Sequence, residues 1–123
     1  MRKLAVIAMA MAFAFGYAGA ASAGDAAKGQ TWWDSKCKKC HNMDAKKKVG
    51  PGLEGITKKR SDAWMTKWLV DPDKTWEEND AETQAMKKDA GKEAAKKTSM
   101  KIGAKLTEAD AADIIAYMKA NGG

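Results

Sequence analysis

Apolar residues along the chain recur at helical spacing, and no stretch gives a convincing alternating strand. Asp25 is placed to cap a first helix running to about Lys36, with Ala26, Gly29 and Trp33 along one side. Ser61-Asp62 opens a second helix, on which Trp64, Met65, Trp68 and Leu69 repeat every three or four positions. Asp71-Pro72 ends it, because proline disfavours helical backbone in the residue before it. Thr107-Glu108-Ala109-Asp110 starts the last helix, with Ala111, Ile114, Ile115 and Met118 predicted to face inward, and Gly122-Gly123 ends it. Residues 77–97, rich in alanine, lysine and glutamate, predict a further and more solvated helix whose continuity Gly91 opposes. Lys46-Lys47-Lys48 and Val49-Gly50-Pro51-Gly52-Leu53 read as loop. The pattern is that of an all-α domain.

The N-terminus follows a different rule. Met1-Arg2-Lys3 is a short basic start, Leu4 to about Ala18 is an apolar run, and Ala21-Ser22-Ala23 is a small-residue cleavage signal. Those are the three parts of a secretory signal peptide. The run is shorter than the ~20 apolar residues a membrane-spanning helix needs, so no span is expected in the mature protein. Removal of residues 1–23 leaves one domain, 24–123.

Composition adds two points. Both phenylalanines, Phe13 and Phe15, leave with the signal, so Trp32, Trp33, Trp64, Trp68, Trp76 and Tyr117 are the remaining aromatics. That is a thin supply for a core of this size, and a large flat apolar cofactor would complete it. Loss of Arg2 and Lys3 reduces the basic count from 22 to 20 against 16 acids, so the formal charge falls from +6 to +4. Nucleic-acid binding is not indicated.

The only two cysteines and the only histidine stand together as Cys37-Lys38-Lys39-Cys40-His41. C-x-x-C-H is the attachment arrangement of c-type haem. Two thiols at this spacing can add to the two vinyl groups on one edge of a haem, and the next residue carries its imidazole under the ring to the iron. A structural zinc site wants four ligands and the chain offers three. A thioredoxin-like pair would need a βαβ pattern, and a plain disulfide leaves His41 unexplained. Trp64 and Trp68 are the candidates to line the haem, with one indole N–H reaching a propionate.

With these residues in view, the chain resembles the small monohaem c-type cytochromes of the mitochondrial cytochrome c-like superfamily, over essentially all of residues 24–123. The resemblance implies the cytochrome c fold, with helices packed around one covalently attached haem c and its iron. It implies that Gly29 and Trp33 on the first helix cross Ile114 and Tyr117 on the last. It matches Gly50-Pro51-Gly52-Leu53 to the family's G-P-x-L stretch, so that the Pro51 carbonyl accepts a hydrogen bond from His41 and Leu53 packs near the ring. Thr98 gives a further pocket bond by the same resemblance. Attachment after export in bacteria implies a periplasmic location.

With a single histidine, bis-histidine ligation within one chain is impossible. Met43 is too near His41 to reach the opposite face, and Met65 and Met118 fall on core-facing helix positions. Met86, in a charged helix, and Met100, in a loop before the last helix, remain, beside an open or lysine-ligated iron. The resemblance favours Met100, since the family places its ligand there. It also marks a departure: residues 71–97 are longer and more polar than the usual approach to that loop. They could be an inserted helix docked on the body, a partner-binding element or a solvated surface, and their charge favours the last.

Lys36, Lys38, Lys39, Lys46, Lys47, Lys48, Lys58, Lys59 and Arg60 surround the attachment segment in sequence, where they could steer acidic redox partners or serve only solubility. The expected function is one-electron transfer by a monomeric carrier, with no bond-making chemistry of its own. Two alternatives stand beside it: a haem subunit docked on a larger oxidoreductase, and an open-site haem sensor or peroxidase-like protein.

Overall fold

The computed structural model describes residues 24–123, so the expected signal peptide lies outside the described residues. Helix α1 (Ala26–Trp32) runs without a break into a π-helical turn, Trp33–Cys37. After the attachment loop come α2 (Ile56–Lys59), α3 (Asp62–Val70), α4 (Pro72–Glu78), α5 (Ala81–Asp89) and α6 (Glu108–Ala120). Among the described residues there is no strand, and no helix is long and apolar enough to cross a membrane.

Local chemistry sets these boundaries. The Asp25 carboxylate accepts the N–H groups of Ala27 and Lys28 at 2.9 and 3.3 Å, satisfying donors that the first turn leaves free. Ser61 caps α3 through the Trp64 N–H at 3.1 Å. Thr107 and Asp110 form a reciprocal capping box at the start of α6. Asp71 ends α3 and caps α4, whose first residue is Pro72, a position where the missing N–H costs nothing.

The region expected as one solvated helix over 77–97 differs. Asn79 turns into the left-handed conformation at φ 50° and ends α4, Asp80 caps a new helix, and α5 stops at Asp89. The break depends on Asn79, a residue type that tolerates this backbone. The first helix also reaches one residue further than expected, because a bond from the Lys38 N–H to the Trp33 carbonyl widens it into the π turn.

Helices α1 and α6 make the most extensive contact in the fold. A Cβ on Gly29 would stand 2.0 Å from the Asp113 carbonyl oxygen and 2.7 Å from the Tyr117 Cβ, so only glycine lets the two backbones meet here. Trp33 packs on Tyr117 with ring centroids 6.0 Å apart. Tyr117 is therefore at the crossing as expected, while Asp113 supplies the other contact and its neighbour Ile114 points into the core, 1 % exposed. Trp64, Met65 and Leu69 from α3 join Leu106 and the Ala111, Ile114, Ile115 and Met118 face of α6 in that core.

Candidate haem-binding site

The π turn delivers the attachment motif. Beyond it, the N–H groups of Cys40 and His41 both return to the Cys37 carbonyl, at 3.1 and 3.0 Å, so the three chemically active side chains leave one tight turn. The two cysteines are not joined in a disulfide, and both are half-buried. Burial, with a smaller contribution from Cys40, pushes the Cys37 thiol up to about 11, so it is uncharged at neutral pH. Among the described residues no three His, Cys, Asp or Glu side chains are grouped so that they could hold a metal ion.

The loop after the motif folds back under His41. The Gly50 N–H donates to the Cys40 carbonyl at 2.7 Å and the Leu53 N–H to the Asn42 carbonyl at 2.9 Å. His41 Nδ1 then lies 2.8 Å from the Pro51 carbonyl oxygen. A carbonyl can only accept, so Nδ1 carries the proton and Nε2 keeps its lone pair free. That is the tautomer an imidazole needs to bind a metal through Nε2. Gly50 sits against the ring: a Cβ there would be 2.5 Å from His41 Cε1 and 2.9 Å from Nδ1. Leu53 is half-buried and packs against the core.

From α3, the Trp68 indole N–H donates to the Met100 sulfur at 3.1 Å. The Met100 N–H donates to the buried Thr98 hydroxyl, also at 3.1 Å. Trp64 stacks on Trp68, centroids 5.4 Å apart and planes within 13°, and Trp76 is tilted against Trp68 with centroids 6.3 Å apart. Trp64's own N–H goes to the Thr83 hydroxyl at 2.9 Å. Both indole N–H groups thus have partners among the described residues. Of the other methionines, Met65 and Met118 are core residues, while Met43 and Met86 are half-buried against it.

Sequence reasoning missed two residues. Thr83 is wholly buried and bonded on both sides, although it lies in a stretch that reads as solvated surface. The spacing Asp80-x-x-Thr83, a capping pattern inside the charge run, was the available signal. Arg60 reads as one more surface cation. Its guanidinium is buried over the Trp64 ring, 6.0 Å from its centroid, and pairs with Asp89, leaving Nε without a partner.

The donor set fits a c-type haem: two thiols and an imidazole with Nε2 free on one turn, and a thioether held by its own hydrogen bonds in a separate loop. A family model described as cytochrome c matches residues 26–121. The chain belongs to the cytochrome c family. As a cytochrome c it binds haem c covalently and transfers electrons. Comparison with curated proteins gives no match.

Proposed function

We propose that this cytochrome c is a periplasmic one-electron carrier holding a single haem, with His41 and Met100 as the two axial ligands. The observation that carries the reading is the bond between His41 Nδ1 and the Pro51 carbonyl, which leaves Nε2 as a pre-oriented donor beside the two thiols. The single C-x-x-C-H motif supports one haem.

When bound, the haem iron supplies a one-electron ferric–ferrous couple. Cys37 and Cys40 hold the group as thioethers, so retention does not depend on affinity. Pro51 fixes the imidazole's tautomer and plane, and Gly50 leaves the ring no alternative backing. Trp68 donates to the Met100 sulfur, which has lone pairs for both a proton donor and a metal. Thr98 ties down the backbone at Met100. With both ligands held in advance, little rearrangement accompanies each electron, and a methionine ligand raises the potential relative to two nitrogens. Lys38, Lys39, Lys46, Lys47 and Lys48 are exposed around the attachment turn and would steer acidic redox proteins toward it, with the carrier acting as a monomer.

The test is the absorption spectrum of purified ferric and ferrous protein beside Met100→Ala. A low-spin wild type whose weak far-red methionine–ferric band disappears in the variant is the expected result. A high-spin wild type that binds carbon monoxide or cyanide readily overturns it and favours an open-site sensor or peroxidase-like protein.

A further inference from the structure

The segment that reads as solvated surface is fastened to the site. At the start of α5, Asp80 accepts the Thr83 N–H and the Thr83 hydroxyl, each at 2.8 Å. The same hydroxyl oxygen accepts the Trp64 indole N–H at 2.9 Å. A hydroxyl has one proton and two lone pairs, so Thr83 donates toward Asp80 and accepts from Trp64 at once. Glu82 takes the N–H and the hydroxyl of Ser61, the residue that caps α3. Lys67 on α3 bridges Glu78 at 2.7 Å and Asp80 at 3.1 Å. At the far end of α5, Asp89 pairs with Arg60. Helix α5 is pinned to the α3 region at both ends.

We infer that α5 is a brace for Met100, acting from Thr83 through Trp64 and Trp68, and that Thr83 is a positioning residue for the iron's sixth ligand. The inference rests on the His41/Met100 reading. Trp64 and Trp68 lie one turn apart on α3, and their rings are nearly parallel. The Thr83 bond fixes the plane of the Trp64 indole, and the stack transmits that plane to Trp68. The direction of the Trp68 N–H then sets where the Met100 sulfur can rest. Met100 itself sits in a stretch without helix, half-buried; Thr98 holds its amide, and the Trp68 N–H is the hydrogen bond that reaches its sulfur. Without the Thr83 oxygen, a buried indole N–H is left unsatisfied and the ring must turn to find water. The stack turns with it, and the sulfur loses its fixed partner.

The experiment compares holoprotein carrying Thr83→Val, which keeps the shape and loses the hydroxyl, with Thr83→Ser, which keeps the hydroxyl. Two readouts are taken: the far-red methionine–ferric band, and the apparent affinity of the ferric protein for cyanide, which must displace the sulfur. Thr83→Val should weaken the band and raise cyanide affinity about tenfold, the weight of one buried hydrogen bond, and Thr83→Ser should restore both. Ile115→Val, which shortens a residue of the same core without removing any of these hydrogen bonds, controls for general loosening and should lower the melting temperature without moving either readout. A wild-type band and wild-type cyanide affinity in Thr83→Val, or equal movement in Ile115→Val, overturns the brace and leaves the ligation reading standing. A wild type that lacks the band overturns the ligation reading itself. Should Thr83→Val not fold, Trp64→Phe removes the same N–H while keeping a stacked ring, and its result is read in the same way.

Discussion

On the histidine side of the site, position is set by backbone. Gly50 leaves no room between chain and imidazole, the Pro51 carbonyl takes the ring proton, and the Gly50 and Leu53 amides lace the loop to the motif. On the methionine side, position is set by side chains: Trp68 holds the sulfur, Thr98 the amide, and Trp64 and Thr83 stand behind Trp68. A backbone constraint either fits or clashes. A side-chain bond can be lost one at a time. Substitutions on the first side should therefore act as failures of assembly, and those on the second as graded changes of ligand strength.

The largest effect lies under the backbone-held side, at the crossing that presents the attachment turn. Gly29→Val would drive a side chain into the Asp113 carbonyl. Overpacking at a backbone-to-backbone contact cannot be relieved by a rotamer change, and a loss of about 3 kcal/mol or more is expected. Denaturant unfolding of the holoprotein checks this. A loss below ~1 kcal/mol would mean that the helices can separate, and that this crossing does not fix the turn. Next in size is Gly50→Ala, whose methyl must push on His41 Cε1. The ring then loses the Pro51 carbonyl or tilts, at a cost of about 2 kcal/mol. A mixed high- and low-spin ferric spectrum is the expected sign. An unchanged spectrum would show that the loop can yield, and would weaken the contrast between the two sides.

Legibility in the sequence divides along the same line. Where a feature is written in the identity of one residue at fixed spacing, it can be read directly: Cys37, Cys40 and His41 in one motif, and the Thr107 start of α6; the Gly29 crossing was legible through the family resemblance. The Pro51 bond and the Tyr117 contact required the family resemblance as well. The docking of α5 was hidden, because the residues that fasten it (Glu82, Asp89, Lys67, Arg60) are the types that ordinarily face water. Their role appears only when Asn79 breaks the helix and turns α5 back onto α3. The π turn was hidden for a related reason: nothing in Trp33-Asp34-Ser35-Lys36-Cys37 distinguishes a wider turn from an ordinary one. The partner of the Trp64 N–H, Thr83, followed from that docking and was hidden with it.

A third prediction tests the side-chain half. Trp68→Phe keeps an aromatic ring against Trp64 and removes the N–H that meets the Met100 sulfur. A hydrogen bond draws electron density from the sulfur, so its loss makes sulfur a better donor to the ferric state. The midpoint potential should fall, by up to about 59 mV, the one-electron equivalent of a tenfold change. Equilibrium redox titration reads this directly. A rise in potential, or complete loss of the methionine band, would mean that Trp68 supports the ligand by packing rather than through its N–H.

The smallest effect is one of pH, and it separates the two sides by chemistry. The brace contains a carboxylate: the Thr83 N–H and hydroxyl, with Lys67 adding less, hold Asp80 below the usual carboxylate range. The bond that holds the imidazole uses a carbonyl and contains no acid. A carboxyl whose pKa is depressed by folding contributes stability above its unfolded pKa, near 4 in general. That contribution is lost as the pH falls through the lower folded value. Because Asp80 and Lys67 are each partly exposed, solvent screens the pair and the amplitude is modest. Asp80→Asn keeps an acceptor for the Thr83 amide but cannot titrate, so its melting temperature should fall less steeply with acid than that of the wild type. It should start slightly lower at neutral pH, where the charge is missing. Parallel acid limbs for the two proteins would remove Asp80 from the account, and the brace would then hold Trp64 through the Thr83 hydroxyl without help from charge.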